Sequence, residues 1–176
     1  RVKAERTKAE YCWTCTAWTI KHVLENYHEK ICTYIDADMM FFAHPQPAFD
    51  EMRENDCSVI IIPHRFKTEK EQLLAKETRG EFCVEFNTFV NNEDGTRVLN
   101  WWADRCLEWC FYAKPGTTEW YGDQKYLNVF QEKFPGVHVC NHFGVGLAPW
   151  NIDQVELVSD DDKGIMFRVE KTGLVQ

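Results

Sequence analysis

The chain has 176 residues, with 28 Asp and Glu against 20 Lys and Arg, for a net charge of −8. That acidity argues against nucleic acid as the main partner, because a phosphate backbone calls for a basic face. No run approaches about 18 apolar residues, so no membrane span is expected. The length suits one domain over residues 1–176, with a core burying roughly 70% of its unfolded surface.

The opening segment RVKAERTKAE is polar and starts with Arg1 rather than Met, which reads as a piece of a longer protein, incomplete at its N-terminus. From Thr16 to Tyr27, apolar residues at Ala17, Ile20, Val23, Leu24 and Tyr27 follow helical spacing. A strand, Ile31 to Ile35, then delivers Asp36 and Asp38, with only Ala37 between them. AHPQPAFDEMREN reads as a short amphipathic helix that turns Phe49 and Met52 inward. CSVIIIP, residues 57–63, is a continuous apolar run suited to a strand buried on both faces. KTEKEQLLAKETRG is a charged loop or short helix, and EFCVEFNTFV, residues 81–90, is another strand.

Gly95 to Phe111 is helical by its stripe of Val98, Leu99, Trp102, Cys106, Leu107 and Cys110, with Asp94 as its cap. GDQKYLNVFQEKF is a short helix starting near Asp123, and GVHVC is a strand. NHFGVGLAPWN is a Gly-rich loop, and the tail forms a hairpin around Asp160 to Gly164. Strands alternating with helices, without polar alternation in the strands, predict an α/β domain with a mainly parallel central sheet flanked by helices.

In such sheets ligands bind beyond the carboxyl ends of the strands, where Asp36 and Asp38 stand. Residues i and i+2 of an extended segment point the same way, and two carboxylates so placed repel each other unless a cation lies between them. Hard oxygen donors suit Mg²⁺ or Mn²⁺, which can neutralise a diphosphate leaving group. The alternative is a pair of turn carboxylates, one capping and one solvated.

CTYIDADMMFF (32–42) resembles the Asp-x-Asp strand end of nucleotide-sugar-dependent glycosyltransferases of the GT-A fold. GDQKYLN (122–128) and HFGVGLAPWN (142–151) are similar to the Asp-Gln helix start and the late His-Phe…Pro-Trp loop of family 8-like members. Together they resemble a bacterial group within that superfamily. The resemblance implies a GT-A-like fold and a metal-dependent transferase of cell-surface glycan biosynthesis. It would move a sugar from a nucleoside-diphosphate donor, UDP-linked in preference, to a glycan, lipid-linked or other acceptor hydroxyl. It implies Mn²⁺ or Mg²⁺ on Asp38 and Asp36, the latter otherwise on the donor ribose. Asp123 and Gln124 would face the transferred sugar and the acceptor, with Asp123 the general base if configuration inverts. The third metal ligand would be His142 or a residue beyond Gln176. The family's first nucleotide-binding strand should precede the Asp pair by more chain than is present. Ala148 also replaces the Lys usual before Pro-Trp, and the glycines fall at Gly144 and Gly146 instead of the usual place.

Other residues carry weaker signals. Arg65, just after a strand, could clamp a donor phosphate or acceptor carboxylate, or join a surface ion pair. Glu85, inside an apolar strand, could reach the sugar pocket or pair with an Arg. Trp120 could stack on a sugar, and His64 shares the strand end with Arg65. The eight cysteines sit mostly in apolar runs, which suggests reduced thiols in a cytoplasmic protein. Cys12 and Cys15, as CWTC at a helix head, support a rival thioredoxin-like redox domain; with Cys106 and Cys110 they could form a zinc site. A noncatalytic α/β interaction domain, its aspartates purely structural, is the remaining alternative.

Overall fold

A computed structural model describes residues 2–113, 119–161 and 164–176. Helix α1 (Lys8–Asn26) starts well before the apolar stripe because Thr7 and Glu10 form a capping box. The Thr7 hydroxyl accepts from the Glu10 amide, and the Glu10 carboxylate accepts from the Thr7 amide at 2.8 Å. Two orphan amides of the first turn are thereby satisfied. There follow β1 (Ile31–Ile35), α2 (Gln46–Glu54), β2 (Val59–Pro63), α3 (Glu69–Thr78), β3 (Phe82–Val90) and α4 (Glu93–Glu108). A 3₁₀ turn (Lys125–Val129) runs into α5 (Phe130–Lys133) and β4 (Val137–Val139), and the tail is the hairpin β5 (Val155–Asp161) and β6 (Gly164–Val169).

The architecture is α/β, but the expectation of a mainly parallel sheet is corrected. The central sheet has the order β1-β3-β2-β4, and β3 runs antiparallel to both β1 and β2; only β2 and β4 are parallel. The apolar run of β2 is indeed buried on both faces. One core, built on Ile20, Val59, Ile61, Phe89, Leu99 and Trp102, lies on the side of α1 and α4. A second, with Ala48, Met52, Ile60, Ile62, Phe86 and Cys140, lies on the side of α2. Burial on both faces sets the composition of a strand and leaves its direction open. Here α3 brings the chain back beside β2 antiparallel, with Pro63 opposite Phe82.

Three boundaries differ from the sequence reading. The α4 cap is Asn92, whose side chain accepts from the Gly95 amide at 2.9 Å, and not Asp94. Asp123 precedes a 3₁₀ turn instead of opening an α-helix. The β3 strand carries a large bulge: between the pairs Ile60–Thr88 and Ile62–Cys83, β2 advances two residues while β3 advances five. Bulges of this kind re-aim side chains and recur beside functional sites. No helix among the described residues is long and apolar enough to cross a membrane.

Candidate functional site

The chain leaves the sheet at Asp36, whose amide donates to the Glu85 carbonyl at 3.1 Å. A turn follows, with the Met39 amide donating to the Asp36 carbonyl at 3.1 Å. Asp38 therefore lies in a turn, and the extended i, i+2 geometry does not continue through it. The two carboxylates nevertheless lie within electrostatic reach of each other. Asp36 is half-buried, and burial raises its pKa; a hydrogen bond from Tyr34 opposes the rise and the charge of Asp38 adds to it. The Tyr34 hydroxyl donates to Asp36 Oδ1 at 2.8 Å. Asp38 is exposed.

Glu85 stands in the β3 bulge, directly opposite Asp36. It is only 4% exposed, and its Oε1 has no hydrogen-bond partner. Burial pushes its carboxyl up to about 7; the Cys83 thiol and the Arg65 charge oppose this, while Asp36 and Asp38 reinforce it. Glu85 joins no ion pair among the described residues. Gly146, at φ +93°, closes over it: a Cβ there would collide with Glu85 Oε1 and stand 2.6 Å from Ile62 Cγ2.

Asp123 also lies within electrostatic reach of Asp36. Its side chain is buried, and its backbone carbonyl accepts from Trp102 Nε1 at 2.9 Å. Burial pushes its carboxyl up to about 7, opposed by hydrogen bonds from Thr16 and a backbone amide and reinforced by Asp36. Asp36 is thus the common electrostatic neighbour of Asp38, Glu85 and Asp123. Gln124 does not join them, since its amide donates to the Arg79 carbonyl at the end of α3, at 3.1 Å.

Arg65 and His142 serve the 140–146 loop. The Arg65 guanidinium donates to the carbonyls of Val145 at 2.7 Å, Cys140 at 2.8 Å and His142 at 3.1 Å. Neither expected use, a phosphate clamp or a surface ion pair, describes it. Glu51 of α2 holds the same loop from its amide side. Its carboxylate accepts from the amides of Asn141 at 2.5 Å and His142 at 3.2 Å, and meets His138 Nε2 at 2.6 Å. These bonds hold the Glu51 pKa below the ordinary glutamate value against the opposing effect of burial. The charged neighbours of His142 are Glu51 and Arg65, and burial lowers the pKa of its ring. Asn151, fully buried, bonds the carbonyls of His64 and Gly146, and the His64 ring stacks on Phe66 at 5.2 Å.

Glu51 and Tyr34 escaped the sequence reading. Nothing in a charged amphipathic helix marks Glu51 out. Tyr34 did carry a signal, because it lies two residues before Asp36 and so shares its side of the strand.

Among the described residues, no group of three His, Cys, Asp or Glu side chains could hold a metal ion. Asp36 and Asp38 bring two hard oxygen donors to this turn, the donor type that Mg²⁺ prefers. All eight cysteines are free. Cys12 and Cys15 lie inside α1, beyond its first turn, with Cys12 exposed, whereas Cys106 and Cys110 are buried in the core. Trp120 stacks on Tyr126, with ring centroids 4.5 Å apart, so one of its faces is covered.

Fold and site together define an α/β domain with a mixed sheet and an acidic centre at the end of its outer strand. The chain is similar to two curated proteins of Bacillus subtilis (strain 168). It is 38% identical to the uncharacterised protein YfnF over 162 residues, 88% of this chain and 51% of that protein. It is 27% identical to the uncharacterised protein YfnD over 164 residues, 93% of this chain and 51% of that protein. The chain thus spans about half the length of the curated relatives it matches. No protein-family profile and no solved structure matches it.

Proposed function

We propose that this chain is the catalytic part of a cytoplasmic, metal-dependent glycosyltransferase of GT-A type. It moves a sugar from a nucleoside-diphosphate donor, UDP-linked in preference, to an acceptor hydroxyl. Asp36 and Asp38 hold Mn²⁺ or Mg²⁺, and the ion neutralises charge on the departing diphosphate. Asp123 faces the transferred group. Its burial favours a carboxyl near neutral pKa, suited to taking a proton from a hydroxyl at physiological pH. The observation that carries the reading is the half-buried Asp36 carboxylate at the end of β1, with Asp38, Glu85 and Asp123 each within its electrostatic reach, a charge balance that a cation would relieve. The strand-end motif and the resemblance stated above give this chemistry its direction. Gln124 enters only as a support for the Asp123 turn.

Calorimetric titration tests the proposal. The chain should bind UDP in the presence of Mn²⁺ and not in the presence of a chelator, and Asp38→Asn should abolish binding while leaving the circular dichroism unchanged. Binding of UDP to Asp38→Asn with wild-type affinity, or no Mn²⁺-dependent binding by the wild type, refutes it. The interaction-domain alternative has one observation in its favour: Met40, Phe41 and Phe42 are 71%, 51% and 58% exposed beside the acidic turn.

A further inference from the structure

We propose that Trp13, Tyr112 and Tyr121 form an aromatic platform for a sugar ring of the acceptor, so that the acceptor hydroxyl belongs to a glycan. The inference rests on the transferase reading above and adds to it the class of acceptor. The rings come from three separate parts of the chain. Trp13 lies in α1, Tyr112 follows α4, and Tyr121 precedes the 3₁₀ turn. Tyr121 stands between the other two, with its ring centroid 6.2 Å from that of Trp13 and 5.5 Å from that of Tyr112. The planes are tilted by 37° and 60°, so neither pair is a closed stack. Tyr112 is 65% exposed, and Trp13 and Tyr121 are partly exposed.

Backbone hydrogen bonds hold this arrangement. The Tyr112 amide donates to Glu10 Oε1 at 2.8 Å, while Glu10 Oε2 accepts from the Thr7 amide. One buried carboxylate therefore caps α1 and pins Tyr112 beside it. The Gly122 amide donates to the Phe111 carbonyl at 3.1 Å, which ties the stretch carrying Tyr121 to the one carrying Tyr112. Gly122 is at φ +52°, and a Cβ there would stand 3.3 Å from the Trp13 ring, so the backbone beside Tyr121 rests directly on the indole. A ring as exposed as Tyr112 adds little to the core, and its anchoring fits a surface made for contact. A sugar ring has an apolar C–H face edged by hydroxyls, and aromatic faces with polar tips match both. A lipid chain calls for no phenol hydroxyls. Asp123, which the transferase reading sets at the transferred group, follows Gly122 directly, so the platform adjoins the place where an acceptor hydroxyl must arrive.

Saturation-transfer difference NMR tests the platform with cellobiose, lactose and N,N′-diacetylchitobiose, and with octyl glucoside below its micelle concentration. Ring C–H protons of at least one disaccharide should receive saturation from the wild type. Tyr112→Ala and Tyr121→Ala should each weaken that binding by about 10-fold. Tyr112→Phe keeps the ring and should bind as the wild type does. Circular dichroism checks the fold of each variant, and the exposed Tyr112 serves if Tyr121→Ala does not fold. Saturation of none of the three disaccharides, or equal binding by Tyr112→Ala and the wild type, overturns the inference. So does saturation of the alkyl chain of octyl glucoside without its sugar ring, which would give these rings to the lipid part of an acceptor. Calorimetry reads Mn²⁺-dependent UDP binding separately, so the platform can fail with the transferase reading intact. A wild type that binds a disaccharide but no UDP refutes that reading and leaves the platform standing as a carbohydrate-binding surface.

Discussion

Replacing Asp123 by Asn removes a carboxyl whose hold on its proton is strengthened by burial. Burial lifts this carboxyl from 3.8 to about 7, so the native chain retains a proton that the unfolded chain releases. The contribution to stability is present in full below about pH 4, declines as the pH rises towards about 7, and is gone above it. At about 1.4 kcal/mol per pH unit, the span amounts to about 4 kcal/mol. Asp123→Asn has nothing to titrate at this position. Urea unfolding followed by circular dichroism, with reductant and chelator, should therefore show the wild type gaining about 4 kcal/mol on the variant between pH 8 and pH 4. Glu85 acts with the same sign and Glu51 with the opposite sign, but both are present in each chain and cancel in the comparison. An identical difference in stability at the two pH values would show that the Asp123 carboxyl is not held neutral by its surroundings.

Gly146→Ala should lower stability by about 3 kcal/mol, because the added methyl meets Glu85 and Ile62 at a positive φ. A thermal midpoint lowered by roughly 6–12 °C is the expected reading, and an unchanged midpoint would show that the loop does not rest on Glu85. Glu51→Ala leaves the donors of Asn141, His142 and His138 without their carboxylate. The cost should be about 3 kcal/mol, with faster hydrogen exchange at the Asn141 and His142 amides; unaltered exchange there would refute the clamp. The native Glu51 pKa lies below its ordinary value. Acid should therefore loosen the same loop as the pH falls from about 4.5 through that lower value.

The strands were legible because apolar runs bounded by turn residues can be little else, and β1 begins and ends where its sequence places it. Their directions were not, since both faces of β2 are covered whichever way its neighbours run. The bulge of β3 was hidden by its effect on alternation. Phe82, Val84 and Phe89 all reach the same core, although Val84 and Phe89 are an odd number of residues apart. That irregularity places Glu85 opposite Asp36 with an unmatched oxygen. The Asp pair and Asp123 could be picked out by residue type and motif. The employment of Arg65 and Gln124 could not, because hydrogen bonds to backbone carbonyls leave no trace in composition. The α1 start was readable after all: Thr7 and Glu10 have capping-box spacing, obscured by the charges around them.

The strand that carries the acidic turn lies at the border of its sheet, with β3 on one flank only among the described residues. Its short sequence, ICTYI, contains no proline or lysine to discourage a visiting backbone, and Ile31 and Ile35 are exposed. Such a border is a template for recruiting another extended segment. In concentrated preparations of this chain, self-association should begin there, and a lysine in place of Ile31 is the change that would keep the molecules apart without touching either aspartate.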